Sequence, residues 1–157
     1  MMTRLVTACV MVVGLASSAM AQSTGTTNMD ILRQKVKADK KLVVAQNLQL
    51  TDAEGAAFWP VYEAYQKDLQ QLNQRLTAVI ESYATAYNKG PLANDVAKKL
   101  LDEAVAIDDA EAKAKSALVP KVVGVLPAAK AARYIQIENK IRAAIRYELA
   151  AGIPLVQ

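Results

Sequence analysis

The chain has no histidine, and its single cysteine is Cys9, so beyond the first few residues there is neither imidazole nor thiol. The commonest general base, the commonest strong nucleophile and the usual transition-metal ligands are therefore missing. Enzymatic activity and a bound cofactor are not expected. One thiol cannot close a disulfide within the chain, so the redox state of the compartment makes no demand on the fold. Aromatic residues are few, at 5%, and the only phenylalanine and the only tryptophan are neighbours, Phe58 and Trp59.

Long apolar runs are also lacking. The longest, Leu5 to Ala16, follows Arg4 and is interrupted by Ser17 and Ser18, short of the roughly 20 residues a membrane span requires. Ala19-Met20-Ala21 then supplies the small-x-small pattern of leader cleavage. Residues 1–21 are expected to be a cleaved signal peptide, which places the protein in the periplasm or outside the cell without stable membrane insertion. Val6-Thr7-Ala8-Cys9 has the local look of a lipoprotein box, but so little apolar leader precedes it that lipidation is not expected.

Charge of one sign is scarce too. The chain has 19 basic and 15 acidic residues. With Arg4 in the leader, the remainder carries about +3, and no basic stripe of the kind that grips nucleic acid stands out.

Helical periodicity is what the sequence does contain. Residues 22–28 are Ser, Thr and Gly without apolar pattern and read as a flexible tail; 29–157 read as a single all-helical domain. A first helix is predicted from about Asn28 to about Gln46, with Ile31, Leu32, Val36, Val43 and Val44 as its apolar positions and Lys35, Lys37, Lys40 and Lys41 in water. Thr51 followed by Glu54 forms a capping box and starts the second. Along it Phe58, Tyr62, Tyr65, Leu69, Leu72, Leu76, Val79, Tyr83 and Ala86 fall alternately four and three residues apart, a seam of heptad period. Pro60 is expected to bend this helix, and Asn88-Lys89-Gly90-Pro91 to end it.

A third helix is predicted from Asn94 or Asp95, carrying Val96, Leu100, Ala104, Ile107, Ala114 and Leu118, with Pro120 and Gly124 fraying or kinking its end. A fourth follows Pro127 and stops at Gly152, with Ala131, Tyr134, either Ile137 or Glu138, Ile141, Ile145 and Leu149 on one face. The expected fold class is all-α: an elongated, kinked four-helix arrangement with one long heptad-patterned helix. A seam of this length is satisfied inside a bundle or by an antiparallel homodimer.

Three groups of residues are candidates for function. Phe58, Trp59, Tyr62 and Tyr65 form an aromatic cluster beside Pro60, where core packing competes with partner binding; Trp59, off the main seam, is the member expected to be exposed. Asp102, Glu103, Asp108, Asp109 and Glu111 form an acidic band without lysine or arginine from Leu100 to Ala112, read as a solvated face rather than a cation site. Lys130, Arg133, Lys140, Arg142 and Arg146 make the last helix basic, available to solvent, to the acidic band or to a partner. From these groups Phe58, Trp59, Tyr62, Lys130, Arg133 and Arg142 are taken as exposed contact positions.

Leu50-Thr51-Asp52-Ala53-Glu54, at a helix start in an exported helical chain of this size, resembles the Spy/CpxP group of periplasmic proteins. Their signature, Leu-Thr-x-x-Gln, usually occurs twice. Here Glu54 stands at the glutamine position, and the second copy would fall on Leu126-Pro127-Ala128-Ala129-Lys130, which keeps the leucine. The resemblance implies a cradle of four bent helices, dimerised by antiparallel pairing of long helices, that binds unfolded proteins or the periplasmic domain of a sensor kinase. The function expected is thus an ATP-independent chaperone or stress-response binding protein acting on unfolded or partner proteins. A structural subunit of an envelope assembly and a metal-responsive regulator are the alternatives.

Overall fold

The computed structural model describes residues 40–156. The expected leader, the expected tail and most of the first predicted helix lie outside the described residues. Apart from Lys40 and Lys41 at the start of the first helix, the elements below belong to the compact unit Leu42–Gln157.

Four helices and no strand are present among the described residues. They are α1 (40–48), α2 (Asp52–Tyr87), α3 (Asn94–Val123) and α4 (Ala128–Gly152). The chain is all-α, as its periodicity indicates. At 1.5 Å per residue the 36 residues of α2 extend roughly 54 Å. Short turns reverse direction after α2 and after α3, so α3 runs antiparallel to both neighbours. Its ion pairs show this, Arg75 with Glu103 on one side and Arg146 with Asp108 on the other. No described helix is long and apolar enough to cross a membrane.

The capping box forms as predicted. Thr51 Oγ1 accepts from Glu54 N at 3.3 Å, and the Thr51 amide donates to Glu54 Oε2 at 2.8 Å. From this start the heptad seam turns inward, burying Phe58, Tyr62, Tyr65, Leu69 and Leu72. Pro60 lies within α2 on its exposed side, so the amide it lacks leaves no unpaired group in the core. α2 ends at Asn88, and Gly90 takes φ +124°, a conformation that glycine adopts without strain.

Leu118 and Val122 of α3, Leu126 of the following turn, and Ala131 and Tyr134 of α4 close over the α2 seam, with Val44 and Leu48 of α1 completing the core. Two predictions about these elements need correction. α1 continues to Leu48, and its buried apolar residues are Val44 and Leu48, four apart, so Val43 points outward; Lys40, expected in water, is buried. α3 does not fray at Pro120 but runs through it to Val123, where the Pro120 carbonyl accepts the Gly124 amide at 3.0 Å.

Candidate functional site

The aromatic cluster is core. Phe58 lies edge-on to Trp59 and to Tyr134, with ring centroids 5.1 and 4.9 Å apart, and Trp59 lies edge-on to Tyr62 at 5.4 Å. Such edge-to-face pairs bring a positive ring edge to a negative ring face. Phe58, Tyr62 and Tyr134 are buried, and Trp59 is half-buried against the same cluster. The expectation that Phe58 and Tyr62 are exposed contact positions is therefore overturned. Their seam positions lie beneath α4, whose Tyr134 fills the space a ligand would need.

Next to this cluster α4 buries a carboxylate. Of the two residues the periodicity allowed, Glu138 takes the inward place at 1% exposure and Ile137 only partly does. Gln66 Nε2 donates to Glu138 Oε1 at 3.2 Å. Burial, reinforced by this nearby negative charge, pushes the Tyr62 and Tyr65 hydroxyls up to about 12. The same causes raise Tyr134 further; Glu138 opposes its ionisation, while its hydroxyl finds no acceptor in hydrogen-bonding geometry among the described residues.

The basic residues of α4 are engaged inside the bundle. Lys130 Nζ bonds Glu54 Oε2 at 2.6 Å and the Gln49 carbonyl at 3.0 Å, and Arg133 Nη1 reaches the Asn47 carbonyl at 3.3 Å. Two cations of α4 thus satisfy carbonyls that the end of α1 leaves without helical partners. Glu54 serves α2 as cap and α4 as counter-ion, and its hydrogen bonds from Lys130 and Thr51 hold its carboxyl below the usual carboxylate range. Leu50, the first residue of the motif, packs against the core.

Arg142 pairs with Glu111 through both carboxylate oxygens and also donates to Asn73 at 3.0 Å. Arg146 bridges Asp108 at 2.6 Å and Glu111 at 3.0 Å. The side chains of Arg142 and Glu111 are only 12% and 14% exposed. Burial works against the Glu111 charge, yet the two arginines hold its carboxyl below the ordinary range. Arg75 with Glu103 and Lys98 with Asp102 engage two more acids of the band. The acidic band is thus largely paired with α2 and α4 or along its own helix, and only partly a solvated face. Among the described residues no group of three or more acidic side chains is arranged to hold a metal ion. Of the six expected contact positions Arg133 alone is exposed; Lys130 and Arg142 are largely covered by their ion pairs.

Exposed apolar surface lies elsewhere. Beyond Leu72 the α2 seam is only half buried at Leu76, Val79, Tyr83 and Ala86, and so are Ile141, Ile145 and Leu149 of α4. At this end a shallow cleft of about 610 Å³ opens beside the α2–α3 turn, with Ala78, Ala86, Pro91, Leu92 and Val96 in its walls. Near it Tyr83 Oη donates to the Pro154 carbonyl at 2.8 Å, tying down a C-terminal segment whose Leu155 and Val156 are 88% and 58% exposed. No spacing rule in the sequence separates this half of the seam from the buried half. The missing signal is the third helix face that would cover it.

Fold and surface together define an all-helical protein, tightly packed at one end and apolar but half-open at the other. No protein-family model, no curated protein and no solved structure matches the chain.

Proposed function

We propose that the protein is an ATP-independent binding protein of the bacterial periplasm, a chaperone or stress-response factor that holds unfolded or partner proteins without catalysis. The observation that carries this reading is the half-open apolar end. Leu92, Val96 and the shallow cleft beside them, with Leu155 and Val156 nearby, offer apolar contact of modest depth, suited to many sequences rather than to one small ligand. Glu81 and Lys89 at the cleft rim keep such contact solvated at its edges. The aromatic core and the ion-paired face of α4 serve stability in this reading. With its acidic band paired, the chain offers no support for the metal-responsive alternative.

Light scattering of a denatured, aggregation-prone protein diluted into buffer tests the proposal. Suppression at near-equimolar ratio, weakened by Leu92→Asp with Val96→Asp and left intact by Lys140→Ala, is the expected result. Equal suppression by the double variant, or none by the native chain, would remove the proposal.

A further inference from the structure

The segment after α4 is directed by its backbone. α4 stops at Gly152, and the Ile153 amide still donates to the Leu149 carbonyl at 3.1 Å while its own backbone turns extended, with φ −99° and ψ 117°. Proline disfavours helix in the residue before it and fixes its own φ, so Ile153-Pro154 leaves the helix as a stiff pair. Tyr83 of α2, 71 residues away in sequence, then donates its hydroxyl to the Pro154 carbonyl at 2.8 Å. The ring that carries this hydroxyl is half-buried, its centroid 5.7 Å from that of Tyr87.

Leu155 and Val156 follow at once. Leu155 is the most exposed large apolar side chain among the described residues, so backbone constraints rather than side-chain packing set where it stands. Apolar side chains gain by folding back onto apolar surface, and half-buried Leu76 and Val79 offer such surface on α2. Leu155 and Val156 stay in water instead.

Charge narrows what this surface fits. No residue from Leu149 to Val156 is charged, and from Leu76 to Tyr87 α2 has one charged residue, Glu81. Glu81 lines the cleft and lies roughly 160° round α2 from Tyr83. A charged partner would lose hydration beside Tyr83 without gaining a counter-ion, whereas an uncharged apolar one loses nothing. Unfolded chains present such stretches, and folded proteins bury most of theirs.

We propose that residues 153–156 are a contact arm for uncharged, apolar stretches of unfolded chain, and that Tyr83 is its positioning residue. This rests on the client-holding reading and adds to the cleft a second contact strip on another side of α2. An arm already held in place loses less freedom when a client lands on it than one that must first be ordered. The tie is a neutral hydrogen bond at the surface, so it orders the arm while contributing little to the stability of the fold.

Fluorescence anisotropy of a short labelled peptide of leucine, valine and serine, titrated with the full chain, tests this. Tyr83→Phe keeps the ring and removes only the donor; it is expected to weaken binding about fivefold, the scale of one neutral hydrogen bond, with an unchanged melting temperature. Leu155→Ser with Val156→Ser should weaken binding at least as much. Adding Tyr83→Phe to that pair should change nothing further, because the arm then carries nothing to position. Additive losses, or full affinity in Tyr83→Phe beside a loss in Leu92→Asp with Val96→Asp, would overturn the arm and leave the client-holding cleft standing. No binding by the native chain would remove both.

Discussion

Glu54 and Lys130, 76 residues apart in sequence, meet at 2.6 Å, and the same carboxylate oxygen closes the capping box of α2. One side chain thus fixes where α2 begins and where α4 lies against it. Thr51→Ala is expected to cost about 1 kcal/mol, the usual loss of a cap. Glu54→Gln keeps an acceptor for the Thr51 amide but removes the counter-ion of Lys130. Its destabilisation should be larger at pH 7 than at pH 3, because the native Glu54 carboxyl is lowered on folding and its contribution is lost as pH falls through that lowered value. Thermal melts of both variants at the two pH values check this.

Arg142 and Glu111 give a larger effect because they are more deeply covered. Arg142→Ala leaves Glu111 desolvated with only Arg146 beside it, and a loss of about 3 kcal/mol is expected in urea denaturation. Replacing both partners, Arg142→Met with Glu111→Leu, should recover most of that loss, since no buried charge is then left unpaired.

Alkaline stability follows from the tyrosines. Tyr62 and Tyr65 ionise near 10 when unfolded but are held up to about 12 in the fold. A raised folded value means that stability is fully present below pH 10 and is lost as pH climbs toward 12, because only the unfolded chain gives up its protons there. The slope approaches about 1.4 kcal/mol per pH unit for each such tyrosine. Urea midpoints measured from pH 8 to 12 should fall above 10, and Tyr65→Phe should flatten the fall.

The two ends of the helices should respond differently to truncation. Phe58→Ala empties a site packed by Trp59, Tyr62 and Tyr134 and is expected to cost about 3–5 kcal/mol. Val96→Ala, on the half-open end, is expected to change stability by no more than about 0.5 kcal/mol. Equal losses at the two positions would mean that the open end is packed as tightly as the core.

Much of the fold could be read from residue spacing. The Thr51–Glu54 box, the four-three alternation from Phe58 to Leu72 and the stop at Gly152 are local patterns, and local patterns set helix limits and inward faces. The candidate site was far less legible. Whether Phe58 is a contact or core residue depends on Tyr134, 76 positions away, and helix period alone could not choose between Ile137 and Glu138. The basic residues of α4 were visible, but their partners are set by the register of α4 on α1 and α3. The half-open end carries no mark in the sequence, because Leu76 and Val79 continue the seam without a break; only the absence of a covering face sets them apart.

Hydrogen exchange of the chain, alone and with an equimolar unfolded client, tests the central claim most directly. New protection is expected at the open end, in residues 76–100 and 149–156, with the buried stretch 58–72 unchanged. Protection gained only around the Trp59 cluster, or nowhere, would contradict it.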